Sequence, residues 1–359
     1  MMTTRNIQSV LDKVYGDKMP DRADLEYLLK LEDPRHVQTL FEYADIVRKQ
    51  HVGDGILLRG IVEYANYCRN TCLYCGLNRH NRQLQRYRLE TGEIMAAVRN
   101  LVSNGLKTVV LQSGEDANLD THWLRDLIAH IKNDFGIAVT LSVGERSFEE
   151  YRMWKAAGAD RYLLKIETTD KALYESLHPQ MSFDNRLRCS RHLRALGYQT
   201  GSGCLVGLRG QTIRSLAEDI IFFKKENFDM IGIGLFIPHK LTALRDEPLG
   251  SIELTLKVIA LTRIVTKNTH MPATTAIGSV GRSDARLLAF RAGANVLMPN
   301  FTPQPYRMLY DIYPGKRCVG EKGEECVRCV QAIAKALGRR VCWSRGDTLK
   351  KKLTCSLTA

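Results

Sequence analysis

The 359-residue chain is long enough for one large domain or two ordinary ones, and its 44% hydrophobic and 25% charged residues are typical of a globular protein. No apolar run reaches the roughly 18 residues that span a bilayer, and the N-terminus has no apolar signal segment, so we expect a cytoplasmic protein without a membrane anchor. The net charge of +13 suggests acidic partners or an anionic substrate, with a solvated basic surface as the alternative, and the lack of an interleaved basic and aromatic patch argues against nucleic acid.

Helices are predicted for the first part of the chain. Apolar residues recur near helical spacing through residues 4–50, and Asp33-Pro34 marks a turn between two of the helices. Gly53-Asp54-Gly55 then breaks the chain before the first strand candidate. We therefore expect residues 1–55 to form an N-terminal helical extension.

From residue 56 onwards, short apolar segments alternate with longer amphipathic segments. The strand candidates are Leu57–Tyr64, Thr108–Gln112, Ala138–Val143, Arg161–Ile166, Gln199–Val206, Met230–Phe236, Ala273–Ile277 and Asn295–Met298. The helix candidates lie near residues 91–104, 121–134, 147–157, 183–196, 212–227, 252–267 and 282–292. Strands that alternate with helices form a parallel sheet, and eight such units predict an α/β fold, a closed (β/α)8 TIM-type barrel over residues 56–300. An open doubly wound sheet would usually carry a glycine-rich loop after the first strand, where this chain has cysteines.

The last part of the chain has a different character. Residues 301–359 contain several tyrosines and a Pro314-Gly315 turn, followed by a group of cysteines. No low-complexity linker precedes this part. We expect a C-terminal extension that packs against the barrel and carries a second cysteine site.

Six of the ten cysteines fall into two compact groups, which is typical of metal sites in a chain without a signal peptide. The first group is Cys68, Cys72 and Cys75, in a C-x3-C-x-aromatic-C pattern directly after the first strand. Three thiolates can hold three irons of a [4Fe–4S] cubane and leave the fourth iron open. A structural zinc site is the alternative, but it usually has four ligands in paired C-x2-C units.

The cysteine triplet, the aromatic Tyr74 and the alternating strands and helices resemble the radical SAM superfamily. The resemblance implies that the open iron chelates S-adenosylmethionine (SAM). One electron, supplied by a donor of the flavodoxin or ferredoxin type, then cleaves SAM to methionine and a 5′-deoxyadenosyl radical. The cofactors would carry the difficult chemistry, and the protein would orient and shield it.

The resemblance also implies a set of SAM contacts around the barrel. Gln112-Ser113-Gly114-Glu115-Asp116 is similar to the glycine-glycine-glutamate stretch that binds the SAM ammonium group, with Ser113 in place of one glycine. Glu167 would bond the ribose or amino group, and Arg186 would pair with the SAM carboxylate. The full set of expected cofactor contacts is Tyr74, Gly114, Glu115, Ser142, Lys165, Glu167, Arg186 and Met230. Ordinary turns, barrel packing and a solvated ion pair are the alternatives for these residues.

Further stretches resemble the HydE family of [FeFe]-hydrogenase maturases, which belongs to the biotin synthase-like group. These stretches are Arg86-Tyr87-Arg88, Leu111–Asp116, Pro272–Ala276, Met298-Pro299-Asn300 and Tyr313–Lys316. The resemblance implies hydrogenase maturation on a cysteine-bound iron carbonyl–cyanide precursor, together with other hydrogenase maturases. The expected substrate contacts are Arg59, Thr140, Thr274, Thr275, Met298 and Tyr306. Thr274 and Thr275 are expected on strand seven, and Tyr306 is expected to close the site.

The second cysteine group is Cys318, Cys326 and Cys329. The resemblance implies an auxiliary Fe–S site near the surface, which some family members carry and others lack. We expect this group to stay apart from the chemistry inside the barrel. A zinc site or an unoccupied site is the alternative.

Two positions depart from the family pattern: Ile166 replaces a histidine, and Arg209 replaces a proline. A related enzyme of another pathway therefore stays open, either a HydE-like paralogue or an enzyme similar to biotin synthase or methylornithine synthase. Biotin synthase would need a second cluster inside the barrel, where Cys204 alone lies on a predicted strand. A non-catalytic Fe–S or zinc protein that transfers electrons or scaffolds assembly is the alternative from another class.

Overall fold

The structure is a computed structural model that describes residues 6–281, 284–321 and 323–350, without the side chains of residues 323 and 324. The end of the expected C-terminal extension, residues 351–359, and the start of the helix expected over 282–292 lie outside the described residues. None of the helices described here has the length and apolar character of a membrane span.

Helices and strands alternate through most of the chain, as the sequence predicts. The helices are α1 (Ile7–Gly16), α2 (Arg22–Leu29), α3 (Pro34–Val52), α4 (Thr91–Ser103), α5 (Thr121–Phe135), α6 (Phe148–Ala156), α7 (Lys171–Leu177), α8 (Phe183–Ala195), α9 (Ile213–Lys225), α10 (Ile252–Thr266), α11 (Thr275–Gly278), α12 (Arg286–Arg291), α13 (Gln304–Arg307) and α14 (Gly323–Ala336). The strands are β1 (Gly55–Leu58), β2 (Gly60–Ala65), β3 (Thr108–Ser113), β4 (Ala138–Ser142), β5 (Arg161–Leu163), β6 (Gln199–Ser202), β7 (Leu205–Val206), β8 (Met230–Ile231), β9 (Gly234–Leu235), β10 (Val296–Leu297) and β11 (Arg340–Cys342).

The strands pair in parallel. Strands β2, β3, β4, β5, β6 and β8 form one sheet in that order, and β1 pairs with β10 and β11 in a second. Single parallel bridges join Met230 to His270 and Pro272 to Val296, so the pairing continues from β8 through residues 270–272 to β10. The predicted α/β class with a parallel sheet is therefore confirmed. Because parallel strands need crossovers, the helices lie between successive strands and cover the sheet.

Helix α10 shows how the helical layer buries apolar surface. Nearly all of its residues from Thr255 to Thr266 are buried, because it packs against α3 on one side and α9 on the other. A helix that is apolar on all sides is expected to be surrounded by other elements. The N-terminal helices are thus packed onto this helical layer, and Asn6, Asp21 and Asp33 cap them with side-chain hydrogen bonds.

Some predicted strands are shorter or broken. The first one is interrupted at Arg59, and the predicted strand over 273–277 is wrong, because helix α11 begins at Thr275 and the parallel bridges lie earlier, at His270 and Pro272. The run of β-branched residues there suggested a strand, but tertiary pairing ends at Ala273, whose N–H donates to the Val296 carbonyl. Helix α7 was not expected from the sequence.

The C-terminal segment returns to the opposite end of the sheet. Strand β11 pairs with β1, and the residues after it lie against the amino ends of the strands. Arg161, which is fully buried, donates to the Asp347 carboxylate, and the Thr348 hydroxyl contacts Asp229. The carboxyl ends of the strands, where the first cysteine group lies, therefore form the open end of the fold.

Candidate active site at the carboxyl ends of the strands

The loop that carries Cys68, Cys72 and Cys75 follows β2 and is fixed by backbone hydrogen bonds to three distant segments. The Arg69 N–H donates to the Glu115 carbonyl at 2.8 Å, and the Leu73 N–H donates to the Leu177 carbonyl at 3.0 Å. The Gly76 N–H donates to the Ile312 carbonyl at 3.1 Å. Arg86 adds hydrogen bonds to four carbonyls of the loop and its flanks. The loop is therefore held in shape by the fold around it.

The three cysteines of this loop are neighbours, and each is half-buried. Burial raises the pKa of Cys75 to about 12, and the nearby Cys68 adds to this shift. Burial and the neighbouring Cys75 and Cys68 also raise the pKa of Cys72 well above its ordinary value. Thiolates are the ligands that iron needs, so this donor set suits a positively charged cluster that offsets both effects.

Gly114 fits closely behind the cysteine loop. A Cβ atom at this position would lie 2.2 Å from the Tyr67 carbonyl oxygen and 2.9 Å from the Cys68 Cβ. The backbone of the loop after β3 can approach the cysteine loop this closely because residue 114 has no side chain. Gly114 thus permits close packing against the cysteine loop.

A cavity of about 420 Å³ begins at the cysteine loop and extends across the carboxyl ends of the strands. Of the predicted site residues, the lining includes Cys72, Tyr74, Cys75, Glu115, Ser142, Lys165, Glu167, Arg186, Thr274, Thr275, Met298, Cys318, Cys326 and Cys329. A volume of this size admits a cofactor or a small substrate. The structure therefore brings most of the predicted contacts to one cavity.

Near the first cysteine group, Arg69 pairs with Glu115 and Arg186 pairs with Glu145. A backbone hydrogen bond from Glu145 to Glu115 links the two ion pairs. Glu115 is buried, and its carboxylate accepts from the Arg69 guanidinium and from the Glu145 N–H at 2.8 Å. Arg186 donates to Glu145 at 2.7 Å and to the Lys165 carbonyl at 2.9 Å. Burial lowers the pKa of Arg186, but nearby Tyr174, Glu145 and Glu115 outweigh it and raise the pKa overall. This guanidinium therefore stays charged at the cavity wall.

Glu167 has an unusual backbone. Its φ of 64° lies in the left-handed region that side chains other than glycine rarely adopt, and such conformations persist where the surroundings impose them. The Glu167 N–H donates to the Gly203 carbonyl at 2.9 Å, and its carboxylate pairs with Lys165 at 2.8 Å. The turn points the carboxylate into the cavity.

His178 and Tyr74 form a neutral contact beside the cysteines. The Tyr74 hydroxyl and the His178 Nε2 atom lie 2.7 Å apart, and His178 Nδ1 lies 2.7 Å from the Tyr174 carbonyl. Burial lowers the pKa of His178 to about 4, so the ring is uncharged near neutral pH. Since its Nδ1 donates to the carbonyl, Nε2 accepts from Tyr74.

The far wall of the cavity contains a buried ion pair. The Glu63 carboxylate on β2 contacts the Lys316 ammonium group and accepts from Asn300 at 3.0 Å. Both charged side chains are less than one tenth exposed. Thr274 lies nearby as the N-cap of α11, and its hydroxyl donates to the Ile233 carbonyl at 3.3 Å. This wall can recognise a charged small molecule.

The second cysteine group lines the same cavity, so the expectation that it stays apart is wrong. Cys318 has a φ of 62°, and Cys326 and Cys329 lie one turn apart on α14, which folds over the cavity edge. The Arg286 guanidinium lies 3.9 Å from the Cys329 Sγ atom. In the described ranges, no group of three or more His, Cys, Asp or Glu side chains is close enough together to hold one metal ion.

Besides Cys68 and Gly114, four predicted site residues do not line the cavity: Arg59, Met230, Thr140 and Tyr306. The Arg59 guanidinium contacts the Met230 sulfur and donates to the Gly346 carbonyl, so Arg59 points towards the opposite end of the fold. Neither Arg59 nor Met230 lines the cavity. Thr140 precedes Ser142 by two residues on β4, further from the carboxyl end of the strand, and is buried. The Tyr306 hydroxyl donates to Glu93 at 2.9 Å, which turns the ring outwards.

Comparison with known proteins identifies the family. The family model of the radical SAM superfamily matches residues 62–223. The chain is 47% identical over 339 residues to the [FeFe] hydrogenase maturase subunit HydE of Thermotoga maritima, which covers 94% of this chain and 96% of that protein. This chain is a radical SAM enzyme of the HydE family.

Other members of the superfamily are also similar to this radical SAM enzyme. The 3-methylornithine synthase of Methanosarcina acetivorans is 28% identical over 82% of the chain and 84% of that protein. The crystal structure of methylornithine synthase (PylB) matches with a TM-score of 0.84 at 26% identity, covering 94% of this chain and 98% of that one. Membership implies a [4Fe–4S] cluster and SAM.

Sequence reasoning missed several residues of the site of this radical SAM enzyme. Glu63 interrupts the apolar run of β2, and a charge inside a buried strand is a signal that could have identified it. Glu145 and His178 stand in loops without any motif, and only the fold brings them to Arg186 and Tyr74. Lys316 was part of a recognised stretch, but its partner Glu63 is far away in sequence.

Proposed function

We propose that this radical SAM enzyme acts in the maturation of [FeFe]-hydrogenase, on a cysteine-bound iron carbonyl–cyanide precursor. The observation that carries the proposal is the 47% identity over nearly the full length of both chains to a protein with the hydrogenase maturase role. Identity at this level extends well beyond the cysteine triplet. The basic side chains at the cavity suit a small anionic substrate.

Cys68, Cys72 and Cys75 would hold the [4Fe–4S] cluster, and Glu115, Glu167 and Arg186 would hold SAM beside it. When bound, SAM and the reduced cluster supply a 5′-deoxyadenosyl radical. The Arg186 guanidinium would pair with the SAM carboxylate, and the Glu115 and Glu167 carboxylates would accept from its ammonium or ribose groups. Ser142 and Lys165 line the same part of the cavity.

The protein side of the reaction is binding, orientation and exclusion of water. Glu145 fixes Arg186, and His178 fixes Tyr74, so the groups that face SAM are already oriented before it binds. The uncharged His178 supplies an acceptor and no proton near neutral pH. A buried cavity protects a reactive radical from side reactions with solvent.

The substrate would lie between SAM and the second cysteine group. Thr274, Thr275 and Met298 line this part of the cavity, together with the basic Arg286 and Lys316. Lys316 is paired with Glu63 and Arg286 with Asp284, so a carboxylate or a cyanide-bearing iron complex would share these two cations with their acidic partners. Cys318, Cys326 and Cys329 would hold an auxiliary Fe–S cluster at the cavity edge.

We further infer that the strands of residues 56–300 close into a (β/α)8 barrel. The bridges from Met230 to His270, from Pro272 to Val296 and from Ile61 to Asn300 support closure, because they link the two ends of the main sheet. Residues 1–55 and 301–359 would then be extensions of this barrel. Strand β11 adds the second extension to its base.

The test combines chemistry and genetics. Anaerobically reconstituted protein with dithionite and SAM is expected to release 5′-deoxyadenosine. Deletion of the gene in a host with an [FeFe]-hydrogenase is expected to leave the hydrogenase inactive while its other maturases are intact. Normal hydrogenase activity in the deletion strain would reject the maturation role and leave SAM cleavage unaffected.

A second candidate is an enzyme similar to methylornithine synthase that acts on another small substrate. It is favoured by the TM-score of 0.84 to that enzyme and by the buried Glu63–Lys316 pair, which suits a zwitterionic amino acid. Incubation with a mixture of the common amino acids, SAM and dithionite separates the two candidates. Conversion of one of these amino acids to a rearranged product would favour the second candidate.

A further inference from the structure

A second concave surface lies directly outside the first cysteine loop. This groove, of about 340 Å³, is lined by two short segments, residues 80–83 and 240–245. The residues that line the groove do not line the main cavity. The groove is therefore a surface separate from the sites of SAM and substrate.

The groove is basic. His80, Arg82, Lys240 and Arg245 line it, and all four side chains are exposed. Arg245 is partly neutralised by Asp246 at 3.3 Å, whereas Arg82 and Lys240 form no ion pair within the part of the chain that the structure describes. Arg79 adds an exposed cation at the edge. Unpaired cations concentrated in a concavity produce a local positive potential.

Both walls of the groove are hydrogen-bonded to the cysteine loop. On the first wall, the His80 N–H donates to the Asn78 Oδ1 atom at 3.0 Å, and the Asn78 Nδ2 group donates to the Cys75 carbonyl at 2.7 Å. On the second wall, the Leu244 N–H donates to the Leu73 carbonyl at 3.1 Å. Two hydrogen bonds thus connect His80 in the groove to the backbone of Cys75, a proposed cluster ligand.

We propose that this groove is the docking surface for an acidic one-electron carrier protein that reduces the cluster. The step is a transfer of one electron: the carrier is oxidised, the cluster is reduced, and no bond or proton changes. The cations of the groove attract an acidic partner. A partner bound there has its redox group near His80, from which two hydrogen bonds lead through Asn78 to Cys75. The proposal rests on the radical SAM activity, which requires a reductant.

The position of the groove explains why it is suited to this task. The main cavity must hold SAM and substrate away from solvent, so a protein partner cannot enter it during turnover. The loop is accessible from its outer side, where Asn78 and Asn81 hold its backbone rigid through bonds to Cys75 and Gly76. A carrier bound there leaves the cavity free.

The test uses Arg82→Glu/Lys240→Glu in the reconstituted full chain, with a strongly acidic flavodoxin as the probe. The Kd for flavodoxin, measured by isothermal titration calorimetry at low ionic strength, is expected to rise about tenfold or more, because charge reversal repels the partner. Flavodoxin-driven formation of 5′-deoxyadenosine is expected to fall by a similar factor below saturation. Dithionite-driven formation is expected to stay within about twofold, since a small reductant needs no docking surface.

Arg99→Glu/Lys225→Glu is the matched control, with the same change in net charge. Both residues are exposed near the C-terminal ends of α4 and α9, where the chain returns to the amino ends of the strands. The control is expected to bind flavodoxin like the unmodified protein. An equal loss in the control, or an unchanged Kd in the groove variant, would overturn the docking surface.

A milder variant, Arg82→Gln/Lys240→Gln, guards against a folding defect. It is expected to weaken flavodoxin binding less than charge reversal does, and the loss is expected to shrink as salt is raised, because salt screens exposed charges. A loss that does not depend on salt would contradict the electrostatic role. If dithionite and SAM give no 5′-deoxyadenosine even in the unmodified protein, the enzymatic assignment fails while groove-dependent binding still supports the docking surface.

Discussion

The two cysteine groups meet at one cavity but are built differently. The first group lies on a loop that backbone hydrogen bonds fix to the segments around Glu115, Leu177 and Ile312. The second group joins a turn at Cys318 to a helix, and Cys329 on that helix is exposed. Fixed backbone around three half-buried thiols is what a catalytic cluster with one open iron needs, whereas the second group lies at the edge of the site.

The thiols of the two groups also differ in charge state. Burial raises the pKa of Cys75 to about 12, so the first group stays neutral until a metal cluster binds. In the second group, a hydrogen bond from Cys318 lowers the pKa of Cys326, and the same contact raises the pKa of Cys318. The difference teaches that equal numbers of cysteines on one cavity can have unequal roles, set by burial and by the backbone that holds them.

The largest expected effect comes from removing one cysteine of each group. Cys72→Ala is expected to reduce dithionite-driven 5′-deoxyadenosine formation at least about a thousandfold, because the cluster carries the chemistry. Cys329→Ala is the matched variant in the second group and is expected to retain activity within about threefold, since its thiol is an exposed one at the cavity edge. Liquid chromatography of the product measures both. Equal losses would remove the functional difference between the groups.

The next largest effect is expected on stability, from the buried ion pair between Lys316 and Glu63 that precedes the second cysteine group. Lys316→Met leaves the buried Glu63 carboxylate without its cation and is expected to lower the free energy of unfolding by about 3–5 kcal/mol. Urea titration followed by circular dichroism measures the change. The double variant Glu63→Gln/Lys316→Met is expected to recover most of the loss, because no unpaired charge remains buried. Failure of that recovery would show that the pair is not the cause.

The close approach behind the first group is tested by Gly114→Ala. The added Cβ would lie 2.2 Å from the Tyr67 carbonyl oxygen, so the cysteine loop must move, at a cost of about 1–3 kcal/mol. Iron content after reconstitution is expected to fall with it. Gly92→Ala in α4 is the control, because nothing lies within 4 Å of a Cβ there. Full iron content in the Gly114 variant would mean that the loop tolerates the shift.

The last expected effect is a dependence of stability on pH, on the Glu167 side of the cavity. Asp219 is buried, and its carboxylate accepts from the N–H and hydroxyl of Thr169, which holds the turn after Glu167. Burial raises the pKa of Asp219 from 3.8 to about 7. Between these values the folded protein keeps a proton that the unfolded chain has released, so the free energy of unfolding falls as pH rises.

Asp219→Asn removes this titration and keeps an oxygen that can accept from Thr169. The variant is expected to lose a pH dependence on the order of a few kcal/mol between about pH 4 and 7, measured by urea unfolding at several pH values. A matched substitution is Asp120→Asn, which alters an exposed helix cap and is expected to leave the slope unchanged. The same slope in Asp219→Asn and the unmodified protein would assign the pH dependence to other groups.

The sequence by itself determined the fold class, the superfamily and the first cysteine group. Alternation of apolar strands with amphipathic helices follows from local periodicity, and it located most elements to within a few residues. The spacing of Cys68, Cys72 and Cys75 is a local pattern as well, so it is visible without any fold.

Tertiary structure decided which residues share the cavity. Arg59 and Met230 were expected there, but Arg59 lies between β1 and β2 and contacts Met230 at the start of β8 and Gly346 near the amino ends of the strands. Glu63 meets Lys316, and Cys326 comes to the same cavity as Cys72, although long stretches of chain separate the partners. Such contacts depend on strand register and on how the C-terminal segment folds back, and both are set by packing between distant elements, which local patterns do not encode.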